Sequence, residues 1–132
     1  TELDINYENS MKKVETVRSS MEKLRCLLND AIEIQRDYVG YDLTVIGYRA
    51  QLELHIDYSM DTKRPLYQYV AKLIWEGQRS GEFNRDDTPE YYAKILIRSI
   101  RGAMYEWCVG YNNYDFVEDG KKYIEKLLKI LK

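Results

Sequence analysis

The stretch TPEYYAKILIRSIRGAMYEWCV, Thr88 to Val109, decides the fold. Thr88 is suited to accept a bond from a free backbone N–H as an N-cap. Pro89 falls at the first helical position, where a missing N–H leaves no intrahelical bond unmade. Apolar residues then recur three and four apart, which predicts one helix as far as Val109. One face carries Ala93, Ile97, Ile100, Met104, Trp107 and Cys108, bulky enough for a core. A second face carries Ile95, Ser99, Gly102, Ala103 and Glu106 and is made of smaller residues. Glycine inside a helix costs about 1 kcal/mol relative to alanine. Gly102 therefore calls for a close neighbour, and a second helix approaching this face would be one.

Working outward, Gly110 to Tyr114 reads as a turn. Asp115 and Glu118 then start a last helix carrying Val117, Ile124, Leu127, Leu128 and Leu131, with Tyr123 and Ile130 widening its apolar arc. Upstream, Pro65 opens a helix with Leu66, Val70, Leu73, Ile74 and Gly77 on one stripe, and Gly81 ends it. Ser59 to Arg64 is a polar break. Before it, Leu43, Ile46, Ala50 and Leu54 form one stripe and Val45, Tyr48, Leu52 and Ile56 another, which predicts a helix capped by Asp42 and packed on more than one side. Ser19 and Glu22 have capping-box spacing ahead of Met21, Leu24, Leu28, Ala31 and Tyr38, with Gly40 ending or kinking that helix. Leu3, Tyr7, Met11 and Val14 share a face of a first helix reaching to about Arg18. No alternating strand pattern competes with these helices. The expected fold is all-α: an antiparallel domain of about six helices.

Composition bounds the function. The 132 residues make one domain. Lys+Arg 20 against Asp+Glu 22 gives a net charge of −2, which excludes a general polycation for nucleic acid. The 2 cysteines, Cys26 and Cys108, have no partner spacing and read as buried thiols of a reducing, cytoplasmic setting. No segment has the apolar length of a membrane span, and no signal peptide precedes the first helix. The single histidine, His55, lies between Glu53 and Asp57, but residues two apart on a helix do not face each other. With no nucleophile beside a base, no phosphate loop and no metal-spaced cluster, the sequence points to no catalytic residue, metal or cofactor. The lysines at 121, 122, 126, 129 and 132 read as a solvated face that complements the helix dipole.

The last two predicted helices have more apolar face than one core uses. A symmetric homodimer is the common way to cover such a surplus. The predicted interface is Ile95, Ser99, Gly102 and Ala103 with Tyr123, Leu127 and Ile130, meeting their copies across a two-fold axis.

The run Leu73-Ile-Trp-Glu-Gly-Gln-Arg-Ser-Gly-Glu-Phe83, continued by Asp86-Asp-Thr-Pro-Glu90, resembles the regulatory domain of TetR-family transcriptional regulators. In that family a helix ends in similar Glu-Gly…Gly-Glu-Phe text, then an acidic loop and Pro. A helix with an internal Gly and a late Trp follows, matched here by Gly102 and Trp107, and then a short loop, an Asp and a last apolar helix. The resemblance covers Pro65 to Lys132, and the earlier helices by pattern only. It implies that the last two helices form half of an intersubunit four-helix bundle, and that the helices before them enclose a pocket for a small hydrophobic or aromatic effector. Effector binding in such regulators shifts two N-terminal DNA-binding heads and lowers operator affinity. No helix-turn-helix head is recognisable here. The first 18 residues would be the connecting helix from that head, so operator DNA would be reached only through a missing N-terminal domain. The chain opens on Thr1 rather than Met, and removal of the head is the expectation.

Among the aromatic residues Tyr38, Tyr41, Tyr48, Trp75, Tyr105 and Trp107, some are expected to line a cavity rather than fill a core. The predicted ligand-binding set is Tyr48, Leu52, Trp75, Met104 and Trp107. The alternative to a repressor's regulatory domain is a free-standing helical dimer that holds neither ligand nor DNA.

Overall fold

A computed structural model describes residues 2–57 and 62–132, without the side chains of Glu2 and Leu3. The predicted positions of the Leu3 side chain and of the Ser59–Asp61 part of the polar break therefore lie outside the described residues. The described chain forms six α-helices and no strand: α1 (Glu2–Val14), α2 (Ser20–Ile34), α3 (Tyr41–Leu54), α4 (Pro65–Arg79), α5 (Pro89–Val109) and α6 (Phe116–Leu127). A π-helical turn over Gln35–Val39 extends α2, and a 3-10 turn over Leu128–Leu131 extends α6. The all-α class is as expected.

Local chemistry sets most of the starts. The Tyr91 N–H donates to Thr88 Oγ1 at 3.1 Å, the Glu22 N–H to Ser19 Oγ at 3.0 Å, and the Glu118 N–H to Asp115 Oδ1 at 3.0 Å. The reciprocal half of the capping box on α2 is replaced. Glu22 turns to Arg25, and the free N–H groups of Ser20 and Met21 donate to the carboxylate of Glu82 at 3.0 and 2.9 Å. A carboxylate at a helix N-terminus answers both the unbonded donors and the dipole, so this contact ties the turn after α4 to the start of α2. The Asp42 cap is corrected: α3 starts from Gly40, with no side-chain cap bond, and Gly40 has φ +83°.

The core is built by α2 (Leu24, Leu27, Ile32), α4 (Val70, Leu73, Ile74), α5 (Leu96) and α6 with its 3-10 turn (Ile124, Leu128, Leu131), all essentially without solvent contact. Ion pairs from Arg25 to Glu125 and from Lys121 to Glu33 run along the seam between α2 and α6. Asn84 fastens the C-terminus, its side-chain amide donating to the carbonyls of Ile130 at 2.9 Å and Lys132 at 3.0 Å.

Packing of α3 on several sides is corrected too. Thr44 is the one buried residue of this helix. Leu43, Ile46, Leu52 and Leu54, from both predicted stripes, stand in solvent within the single chain, as does Ile56 just beyond the helix. The hydroxyl of Tyr41 donates to the Cys108 carbonyl at 2.6 Å, and that of Tyr48 to the Arg101 carbonyl at 3.3 Å. These two bonds hold α3 against α5 by its inner edge.

Candidate functional site: a cavity bounded by α3, α4 and α5

A cavity of about 220 Å³ lies among the end of α2, the π-helical turn, α3, the start of α4 and the middle of α5, with Tyr7 of α1 at its wall. Each element contributes for a local reason. The π-helical turn brings Gln35 and Val39 to the cavity, and wide helical turns of this kind are frequent at functional sites. Gln35 Nε2 donates to Thr44 Oγ1 at 2.7 Å, and Thr44 Oγ1 donates to the Gly40 carbonyl at 2.7 Å. That chain of bonds fixes the start of α3 against the turn. Gly47 leaves the α3 wall bare: a β-carbon there would meet nothing within 4 Å.

The apolar lining includes Leu28, Ala31, Val70, Ile97, Ile100 and Met104. The polar and charged residues of the lining are Thr44, Tyr48, Gln35, Gln51, Arg64 and Arg101. Burial raises the pKa of the Tyr48 phenol, with the nearby Cys108 raising it further and Arg101 opposing. The hydroxyl therefore stays neutral and acts as a donor. Arg64 is paired with Asp4 at 3.0 Å, and Arg101 is paired with Asp57.

Of the five residues predicted to bind a ligand, Tyr48 and Met104 line this cavity. Leu52 is 70 % exposed and lies in an outer groove between α3 and α5. Trp75 is 50 % exposed on α4, with the Arg79 guanidinium 4.8 Å from its ring centroid. Trp107 is 2 % exposed: its ring stacks on Phe116 at 4.3 Å, and its Nε1–H donates to Asn112 Oδ1 at 2.8 Å. Trp107 thus closes the turn between α5 and α6. Sequence reading missed Gln35, Val39, Gly47, Arg64 and Arg101. Arg64 precedes α4 in the polar break and Arg101 is one of several charged residues on α5, so apolar spacing singles out neither.

Of the predicted interface, Ile95, Ser99, Ala103 and Leu127 are half-buried, while Gly102, Tyr123 and Ile130 are exposed. A β-carbon on Gly102 would meet nothing within 4 Å.

The other candidate chemistry is sparse. His55 ends α3 in a left-handed conformation at φ 54° and is exposed. Among the described residues no group of His, Cys, Asp and Glu could hold a metal ion. Burial raises the pKa of the Cys108 thiol, away from the reactive thiolate. No helix among the described residues is long and apolar enough to cross a membrane. Comparison of the chain with known protein families, with characterised proteins and with solved structures gives no match.

Proposed function

We propose that this chain is the effector-binding and dimerisation domain of a TetR-like transcriptional repressor, acting in the cytoplasm by binding rather than by catalysis. The observation that carries the reading is the cavity with apolar walls, a few polar tips and Tyr48 and Met104 among its lining, which has the make-up of a small-molecule site. The TetR-like text from Leu73 to Glu90 supports it from the sequence side. The space over Gly102 supports a homodimer, because nothing among the described residues accounts for a glycine there and a second copy would. A small hydrophobic or aromatic effector in the cavity would favour one of two dimer arrangements. A DNA-binding domain N-terminal to this one would then lose its fit to the operator.

A second reading, a helical interaction protein without ligand or DNA, has one observation in its favour. Leu43, Ile46 and Leu54 leave an apolar outer face on α3 that is exposed among the described residues. A panel of small apolar and aromatic compounds, followed by NMR of the Met104 methyl group, separates the two. Saturable shifts at Met104 support the effector domain. A panel that leaves Met104 unmoved, with the chain dimeric, supports the interaction protein.

A further inference from the structure

A groove runs along the outside of the molecule between α3 and the C-terminal end of α5. From α3 it is lined by Asp42, Val45, Ile46, Arg49 and Leu52. Helix positions three and four apart are neighbours, so these five make one row along α3. Tyr105 and Val109 of α5, with Tyr111 of the turn that follows, form the opposite bank.

The order of charge along the row is the informative feature. Asp42 and Arg49 are both exposed, and neither has an ion pair or a side-chain hydrogen bond among the described residues. Seven residues separate them, two helical turns and about 10 Å of rise, and Val45 and Ile46 lie at the midpoint. Turned end for end, the row presents a base, an apolar centre and an acid in the places of the acid, the apolar centre and the base. Two copies of α3 packed antiparallel about a two-fold axis at Ile46 therefore set Asp42 of each copy opposite Arg49 of the other, with Ile46 against its own equivalent. Self-complementarity of this kind is the condition for an isologous contact. An unrelated helix would have to bring the same order in its own sequence, whereas a second copy already has it.

The amount of apolar surface fits the same occupant. Ile46, Leu52, Tyr105, Val109 and Tyr111 are each more than half exposed. At about 100 Å² apiece, roughly half the surface of a large side chain, they offer about 500 Å². A stable interface takes about 800 Å² from each partner, of which about 60 % is apolar. The groove thus supplies the apolar share that a dimer of this chain needs. Gly102 opens on an adjoining groove that shares Tyr48, Leu52 and Tyr105 with this one. A copy seated on α3 stands on the same side of the molecule as that glycine.

We propose that the chain forms a two-fold dimer through this groove, α3 of each copy lying antiparallel in the groove of the other, with Ile46 at the axis and reciprocal Asp42–Arg49 ion pairs on either side of it. This rests on the homodimer of the reading above and adds the face and register of the contact. Sedimentation equilibrium and methyl NMR of the full chain test it. The chain should be dimeric, and dilution into monomer should shift the methyl signals of Ile46 and Leu52. Asp42→Arg and Arg49→Asp each set like charges opposite one another at two points and should weaken the dimer about tenfold or more. The double variant re-forms both pairs with the signs exchanged and should recover most of the lost affinity. It keeps the arginine in the first turn of α3, so recovery reports the pairing and not repair of the helix end. Single variants that dimerise as the unmodified chain does, a double variant as weak as the single ones, or dilution shifts confined to α6 overturn the α3 assignment and leave the homodimer standing. A chain that stays monomeric up to millimolar concentration overturns both, and an apolar compound that shifts Ile46 in such a monomer gives the groove to a small ligand instead. The dilution shifts are read on the unmodified chain and decide the matter even where a variant fails to fold.

Discussion

A β-carbon on Gly77 would lie 2.2 Å from Cδ2 of Phe83, inside the ring's own volume. The backbone N–H of Phe83 also donates to the Gly77 carbonyl at 3.0 Å. The end of α4 is thus folded back on itself, with the Phe83 ring seated where the glycine has no side chain. Gly81, at φ +83°, makes the reversal, and Glu82 between them reaches the start of α2. Gly77→Ala forces a buried ring out of place and should destabilise the chain by about 1–3 kcal/mol, despite alanine's better helix propensity. Urea unfolding measures it. If Gly77→Ala proved neutral or stabilising, the ring would not be fixed against the helix. Adding Phe83→Leu should recover part of the loss, because the shorter side chain can yield.

Much of this architecture could be read locally. Thr88, Ser19 and Asp115 each act as N-cap residues because capping involves atoms within one turn of the chain. Long-range partners were not legible. Glu82 caps a helix that begins at residue 20, and no local pattern announces a bond across 62 positions. Apolar periodicity likewise cannot separate a core tryptophan from a cavity tryptophan. Trp107 stacks on Phe116 and Trp75 faces solvent, although both follow helical spacing. In the cavity, Tyr48 and Met104 followed from their stripes, whereas Gln35 and Val39 arrive through a π-helical turn that ordinary helical spacing does not describe.

The link between α1 and α4 makes a pH prediction. Tyr69 donates from its hydroxyl to the Glu15 carboxylate, and Lys23 lies 3.6 Å from the same group. The tyrosine hydrogen bond is the main cause that holds the pKa of Glu15 below its ordinary value of 4.5; burial opposes it, and the charges of Lys23 and Lys72 add to the lowering. A carboxylate with a lowered folded-state pKa stabilises the fold fully above its unfolded value and loses that contribution as pH falls through the folded value. Stability from this contact should therefore hold above pH 4.5 and fall away below it. The pair is half-exposed, so the effect stays under about 1 kcal/mol. Tyr69→Phe should flatten that part of the acid limb in denaturation curves between pH 6 and 3, about the range over which carboxylates titrate. An unchanged limb would mean that the contact adds nothing to the free energy.

The face of α5 around Gly102 makes a prediction about association. Gly102→Leu meets no obstacle among the described residues and improves helix propensity by nearly 1 kcal/mol. Folding stability at low concentration should thus hold or rise. If two copies meet there, the added side chain blocks their approach, and sedimentation equilibrium should show the dimer weakened by tenfold or more, about 1.4 kcal/mol. A dimer of unchanged affinity would mean that another surface, such as the apolar outer face of α3, makes the contact.

Gly47 sets the fold against the cavity most directly. It lies inside α3, where glycine is unfavourable by about 1 kcal/mol relative to alanine, and a β-carbon there would enter open space. Nothing in the packing of the described residues explains a glycine at this position, but an occupied cavity does, since Gly47 is part of its lining. Gly47→Ala should stabilise the chain by up to about 1 kcal/mol. Gly47→Leu should retain that gain, project four carbons into the cavity and abolish the shift of the Met104 methyl group by apolar probes. Loss of probe binding together with higher stability is a combination that general damage to the fold cannot produce. A Gly47→Leu chain that bound apolar probes as the unmodified chain does would show that the probes bind elsewhere, and the assignment of this cavity would fall with it.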